Sequence, residues 1–449
     1  MKFRLKHPAI LVAVALSCCT FASCSDDDSD TPDKPEDLEG TMETLTPAAG
    51  KTFLKDVATE ALEKFRAGDQ RDFIVLASYY DNTYSGYDMP KEFDVEAEED
   101  ENALRSLFRG LRKSVENGDA SGVTEEIIKY TYNLNFKRFT GIYEPGRNRW
   151  VRTDDSNDII FRFTGETGQT CELRARASDS TSDYTYSYTD EEYIGWGEYE
   201  DVEYVYNCAV PKKVVITLTS GDKEIVNAEV NSDINVNGHK MSLTASVKVM
   251  NILAATTISG TDSQITATTS LKVSDEALIS SSATINGNNL CNLDNYLKEP
   301  ELTSLFRNGT ATVSILNKVR VDGQITYNGI IEDILDYPHW DSSDYFSMAD
   351  AEAAARKDIA TLNENIKAQL RYNNKETVQA NLSWGITFDS RGSYSSYWEY
   401  GTEPLLKFVQ DDTEYSFSEY FERGFSSIED LWSDLQSSYK RVWDSVNKR

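Results

Sequence analysis

Histidine is nearly missing from this chain, with three in 449 residues. That scarcity leaves little material for histidine-based metal sites or catalytic triads. Basic residues are also short, 45 Lys and Arg against 75 Asp and Glu, for a formal net charge of −30. Without a basic footprint to neutralise phosphates, nucleic acid is excluded as a partner. There is no C-x-x-C, and no G-x-S-x-G, G-x-x-x-x-G-K or G-x-G-x-x-G, so zinc knuckles, hydrolase elbows and phosphate-cradling loops lack their residues. No metal or cofactor is implied. Past the N-terminus no apolar run approaches the ~18 residues of a membrane-spanning helix. What remains is a chain that is 39% apolar over this length, enough to bury at least one sizeable core.

Lys2, Arg4 and Lys6 precede a continuous apolar stretch, Ala9 to Leu16, and then small residues as far as Phe21-Ala22-Ser23-Cys24. The apolar stretch is too short to span a bilayer, so residues 1–23 read as a secretory signal peptide. The residues around Cys24 resemble the lipobox of bacterial lipoproteins. The run Ser25-Asp26-Asp27-Asp28-Ser29-Asp30 is similar to the surface-export signal of Bacteroidota lipoproteins. The resemblance covers roughly the first 30 residues. It implies cleavage before Cys24, acylation of Cys24, anchorage in the outer-membrane bilayer and exposure at the cell surface. Residues 24–45 hold eight acids before Gly40, together with Pro32 and Pro35. They read as a disordered, self-repelling tether that reaches at most ~75 Å from the bilayer.

Three cysteines remain in the body, Cys171, Cys208 and Cys291, in a compartment that permits disulfides. Cys171 and Cys208 lie on strand-like segments flanking one excursion. If those segments pair antiparallel, a Cys171–Cys208 bridge joins them. Otherwise all three are thiols that pack as small apolar residues.

The body reads as α+β: a large antiparallel β-sheet with amphipathic helices on its N- and C-terminal sides. Residues 46–145 read as helical. Thr46-Pro47 looks like a cap followed by proline at the first helical position, and Leu54, Val57, Ala61, Leu62 and Phe65 recur at helical spacing. A second helix is expected near Asp69–Tyr80, a third over 98–117 and a fourth from about Thr124. Residues 146–340 are mainly β. In Val230–Val249 apolar and polar residues alternate around Asn237-Gly238, a two-residue turn that pairs Val230 with Ala245 and Ile234 with Met241. Further strands are expected at Lys213–Leu218, Gln264–Val273 and Ala311–Val321. Residues 341–449 mix helix and strand. Ile359, Leu362, Ile366 and Leu370 form one helical stripe. A final helix from Ser426 carries Trp432 and Trp443 on its apolar face, which is expected to dock on the body.

Few groupings suggest chemistry. Asp233-Ile-Asn235-Val-Asn237-Gly238 spells half a calcium loop, but position twelve is Thr244 where a bidentate Glu is needed, and the hairpin explains the same residues. Ser437-x-x-Lys440 falls on the last helix without its companion motifs. The stretch Asp179–Tyr206 is more unusual. Tyr184, Tyr186 and Tyr188 alternate, so an extended strand places them on one face. Trp196 and four more tyrosines follow, and eight acids lie between Asp183 and Glu203. Rings beside carboxylates suit sugar stacking or a protein partner. Tyr394 and Trp398 belong to a second aromatic cluster. The expected function is therefore a lipoprotein that binds a glycan or a protein without catalysis. Two alternatives stay open. One is a lipid or lipoprotein carrier with an apolar cavity against the sheet, weakly similar in element order to periplasmic lipoprotein carriers. The other is a hydrolase using a pair of carboxylates.

Overall fold

The computed structural model describes residues 33–90, 139–195, 198–235, 239–291, 305–327, 331, 334, 340–342, 344–390, 398–422 and 425–447, with backbone alone over 182–210. The strands are β1 (Gly141–Pro145), β2 (Trp150–Asp154), β3 (Ile159–Thr164), β4 (Thr170–Ala177), β5 (Thr181–Gly195), β6 (Glu198–Pro211), β7 (Lys213–Ser220), β8 (Lys223–Asn235) and β9 (Lys240–Val249). They continue as β10 (Ile252–Thr261), β11 (Gln264–Val273), β12 (Glu276–Gly287), β13 (Phe306–Ile315), β14 (Val319–Thr326), β15 (Ile366–Tyr372), β16 (Val378–Ser390), β17 (Trp398–Phe408) and β18 (Glu414–Ser416). The helices are α1 (Pro47–Glu63), α2 (Arg71–Tyr84), α3 (Met348–Asn365), α4 (Phe417–Glu422) and α5 (Ser426–Asn447).

Alternation of apolar and polar residues builds the hairpins, and the hairpins add up to one 16-stranded sheet, ordered β18 to β7 and then β4-β3-β1-β2. Its pairings are antiparallel except for β1 with β3. The β8–β9 hairpin has the expected register, Val230 opposite Ala245 and Ile234 opposite Met241; its turn at 236–238 lies outside the described residues. Gln264–Val273 is a strand as expected. The expected Ala311–Val321 strand is instead the junction of two, β13 and β14, because Leu316 and Asn317 turn the chain with positive φ.

Register propagates the alternation from strand to strand. One row crosses the sheet through Tyr143, Phe161, Leu173, Leu218, Val226, Val249, Ile252 and Val273. The opposite face carries Lys240, Thr261, Gln264, Asn286, Asn308 and Thr326 in a second row. Amides link that row, Gln264 Nε2 donating to Asn286 Oδ1 at 2.9 Å and Asn286 Nδ2 to Asn308 Oδ1 at 2.7 Å. One face is thus apolar and the other polar, as in sheets packed on one side only.

The helices cover parts of the apolar face. Thr46 caps α1, its Oγ1 accepting from the Ala49 amide at 3.3 Å. Val57, Phe53, Leu54 and Phe65 then pack on Val273, Val319, Leu370 and Phe408. Leu76 and Tyr84 of α2 pack on Trp150, Phe161 and Phe163. Ala355, Ile359 and Leu362 of α3 join Trp340 and Trp384 in a third cluster. The stripe expected as one helix is divided: α3 ends at Asn365, and Ile366 and Leu370 lie on β15. The last helix does form, but it rests on α1 and α2, and Trp432 and Trp443 stay 44% and 38% exposed rather than buried. The third and fourth expected helices lie outside the described residues, and 46–145 already contains β1.

Candidate functional site

The Tyr-rich excursion is a hairpin of its own. β5 and β6 form a two-stranded sheet separate from the main one. It continues the β4–β7 ladder beyond Ala177 opposite Val214 to Thr181 opposite Pro211, and on to Gly195 opposite Glu198. Tyr186 stands opposite Tyr206 and Tyr188 opposite Tyr204. Directly opposed residues share a face, so positions 184, 186, 188, 204 and 206 form one tyrosine face of this arm. Residues 181–211 contain eight acids and no Lys or Arg. An isolated two-stranded ribbon is marginal in water. This one is braced at its root, where the Ser232 amide donates to the Lys212 carbonyl at 2.8 Å and Ser232 Oγ to the Pro211 carbonyl at 3.3 Å.

A groove of about 440 Å³ opens beside that root on the polar face, lined by Asp233, Lys240, Ser242, Ser259, Thr261, Gln264 and Thr266 with Met241 and Gly260. Asp233 joins the two features, because its carboxylate accepts from Lys212 Nζ at 2.7 Å at the base of β6. Ser259 and Thr266 hydroxyls bond each other at 3.0 Å. Hydroxyls, an amide, a carboxylate and an ammonium thus face one solvent-filled trough. Sequence alternation places Asp233, Lys240 and Ser242 on a wet face; their convergence with β10 and β11 is visible only in the register.

An ion-pair ladder runs along β4 towards the arm. Arg174 and Arg176 both reach Asp158, each at 2.9 Å, and Arg162 meets Glu172 at 2.7 Å. Hydrogen bonds from Arg176 and then Arg174 hold the buried Asp158 carboxyl below its usual range, outweighing the upward push of burial.

Trp398 lies elsewhere. It starts β17 at the same end of the sheet, with Tyr400 at 6.1 Å between ring centroids and Phe388 at 5.0 Å from Tyr400. Phe388 and Tyr400 line a cleft of about 270 Å³ with Met348, Glu352, Arg356, Ile386 and Thr387. Ten strand positions separate β17 from β7, roughly 48 Å along the sheet at about 4.8 Å per strand. The two aromatic clusters share an end of the sheet but not a site. Trp196, Tyr394 and Cys24 lie outside the described residues.

The Cys171–Cys208 pairing does not form. Cys171 is a free, fully buried thiol whose strand pairs with β3 and β7, opposite Phe163 and Ser220. Cys208 belongs to β6, opposite Tyr184 of β5. A hairpin closes outward from its own turn, so the two segments expected to pair each take a nearer partner. Cys291 is also free and buried.

Asp233 and Asn235 lie on β8, in the hairpin register rather than a calcium loop. Ser437 and Lys440 are both exposed on α5. Among the described residues, no cluster of three or more His, Cys, Asp and Glu is placed to hold a metal ion, and no helix is long and apolar enough to cross a membrane. No family model, curated protein or solved structure matches the chain.

Proposed function

We propose that this chain is a Bacteroidota-type outer-membrane lipoprotein, anchored through acylated Cys24 and exposed at the cell surface, that binds a glycan or a protein partner without transforming it. The observation that carries this reading is the arm: a ribbon outside the main sheet with tyrosines at five positions of one face. Tyrosine side chains supply contact area at low entropic cost. The adjoining groove favours a glycan, since its hydroxyl, amide and charged groups match a polyhydroxylated ligand. Among the described residues, α1, α2 and α3 pack on the apolar face of the sheet. The test is retention on a panel of polysaccharide gels. Replacing Tyr184, Tyr186 and Tyr188 together by alanine is expected to abolish it, and unchanged retention removes the arm as a glycan site.

A second reading, a lipid or lipoprotein carrier, is favoured by the apolar row that runs from Tyr143 to Val273. It requires acyl chains that co-purify with the protein and vanish on delipidation. A carboxylate hydrolase draws no support from the two clefts described above, each lined by a single carboxylate, Asp233 in one and Glu352 in the other.

A further inference from the structure

We infer that residues 33–45 belong to the folded body, and that the short stretch between Cys24 and Asp33 keeps their end of the sheet close to the bilayer, with the arm and groove at the far end. The orientation rests on the proposed role of Cys24 as the anchor.

The composition of 24–45 suggests a free tether, but its second half is bonded in place. The Glu39 amide donates to the Asn374 carbonyl at 3.0 Å, and the Glu376 amide to the Gly40 carbonyl at 2.8 Å. The Met42 amide donates to Thr377 Oγ1 at 2.9 Å, and the Leu45 amide to Oε1 of the fully buried Gln379 at 2.8 Å. Ion pairs extend the strap back to Asp33, which meets Lys272 at 3.0 Å. Met42 and Leu45 pack against the cluster of Val57, Val273, Leu370 and Phe408. Residues 25–32 separate Cys24 from Asp33, so Asp33 lies at most roughly 30 Å from the anchor at ~3.5 Å per residue, not ~75 Å.

These anchors of the strap all lie at one end of the sheet. Lys272 is near the end of β11, Asn374 and Glu376 lie between β15 and β16, and Gln379 is near the start of β16. The groove lies at the other end, where Thr261 of β10 pairs with Gln264 of β11. β10 separates the two ends by ten residues, roughly 33 Å at ~3.3 Å per residue. The fourteen residues of β6 carry the arm further the same way, by roughly 46 Å at that rise. The strap end therefore lies within roughly 30 Å of the bilayer, while the groove lies roughly 33 Å further along the sheet and the tyrosine face further still. A lipid surface thus meets the strand turns, and the external partner meets the opposite end.

The test uses the full lipidated chain in phosphatidylcholine vesicles with an acceptor dye on a minor lipid. A donor fluorophore is placed at Asp275, in the turn beside the strap, or at Glu191 in the arm. Energy transfer is expected to be several-fold greater from position 275 than from 191. Inserting a twenty-residue Gly/Ser segment after Asp30 leaves every pin intact and should erase most of that difference. Equal transfer from both positions in the natural chain, or a difference that survives the insertion, overturns the inference. Flotation with the vesicles is scored separately. A chain that does not float refutes the anchor and the orientation together, while protection of the Glu39, Met42 and Leu45 amides from hydrogen exchange still reports whether the strap itself is pinned.

Discussion

Arg320 Nη1 donates to the backbone carbonyl of Glu36 at 2.7 Å, across 284 positions of sequence. The same guanidinium reaches Asp322 Oδ1 at 2.8 Å and Asn374 Oδ1 at 3.2 Å. It therefore links the acidic leader to β14 and to the β15–β16 turn. Arg320→Ala is expected to speed exchange of the Glu39 amide while Leu45, held by Gln379, keeps its protection. The loss in unfolding free energy should be about 1.5–3 kcal/mol, as for hydrogen bonds to a charged group, and denaturant melts with exchange mass spectrometry would measure both.

Asp158 makes stability depend on acid pH. Its folded carboxyl titrates below the ordinary value near 3.8, so the unfolded chain binds the proton more readily. The contribution is complete above the unfolded value and is lost as pH falls through the lower, folded one. Asp158→Asn should lower stability at pH 7 by about 1–2 kcal/mol and flatten the acid limb of the stability curve. An acid limb identical in both proteins would contradict this role.

Gly50 is packed where a side chain cannot go. A Cβ there would lie 2.9 Å from the hydroxyl of Tyr372 and 3.4 Å from that of Tyr420. The Tyr420 hydroxyl donates to the Pro47 carbonyl at 2.9 Å, while the buried Tyr372 hydroxyl has no partner at hydrogen-bonding geometry among the described residues. Helix propensity alone would make Gly50→Ala stabilising by up to about 1 kcal/mol. The expected result is instead a loss of about 1–2 kcal/mol from overpacking. In a Tyr372→Phe background most of that loss should disappear, and thermal melts of the four proteins of the cycle would show it.

Cys171 and Cys291 are expected to react with iodoacetamide only after unfolding. Both are buried, and burial raises both thiols above their ordinary pKa. Labelling in denaturant without reductant should modify both; a Cys171 that labels only after reduction would restore the disulfide.

Much of this fold is legible in the sequence where one period is unambiguous. Val230–Val249 alternates over twenty residues, and its register follows from the Asn237-Gly238 turn. That clarity is missing at Leu362, Ile366 and Leu370, where apolar spacings of four satisfy a helix and a strand alike. Ile366 and Leu370 fall on the strand side, because α3 stops at Asn365 and β15 pairs with β14 from Ile366 onward. The parallel β1–β3 pair has no local signal. The strap is hidden because its composition is that of a disordered tether, while its partners lie from 239 (Asp33 to Lys272) to more than 330 positions away. For the candidate site, alternation reveals the tyrosine face, but the groove needs three strands in register.

The central claim is that the arm and its adjoining groove form the binding end. The most direct measurement is binding to the polysaccharide gels by a chain whose arm is shortened to a turn between Ser182 and Val210, followed beside its thermal melt. The arm is a separate two-stranded sheet, so the melting temperature should stay close to that of the natural chain while retention is lost. Retention equal to that of the natural chain, with the melt unchanged, would contradict the account.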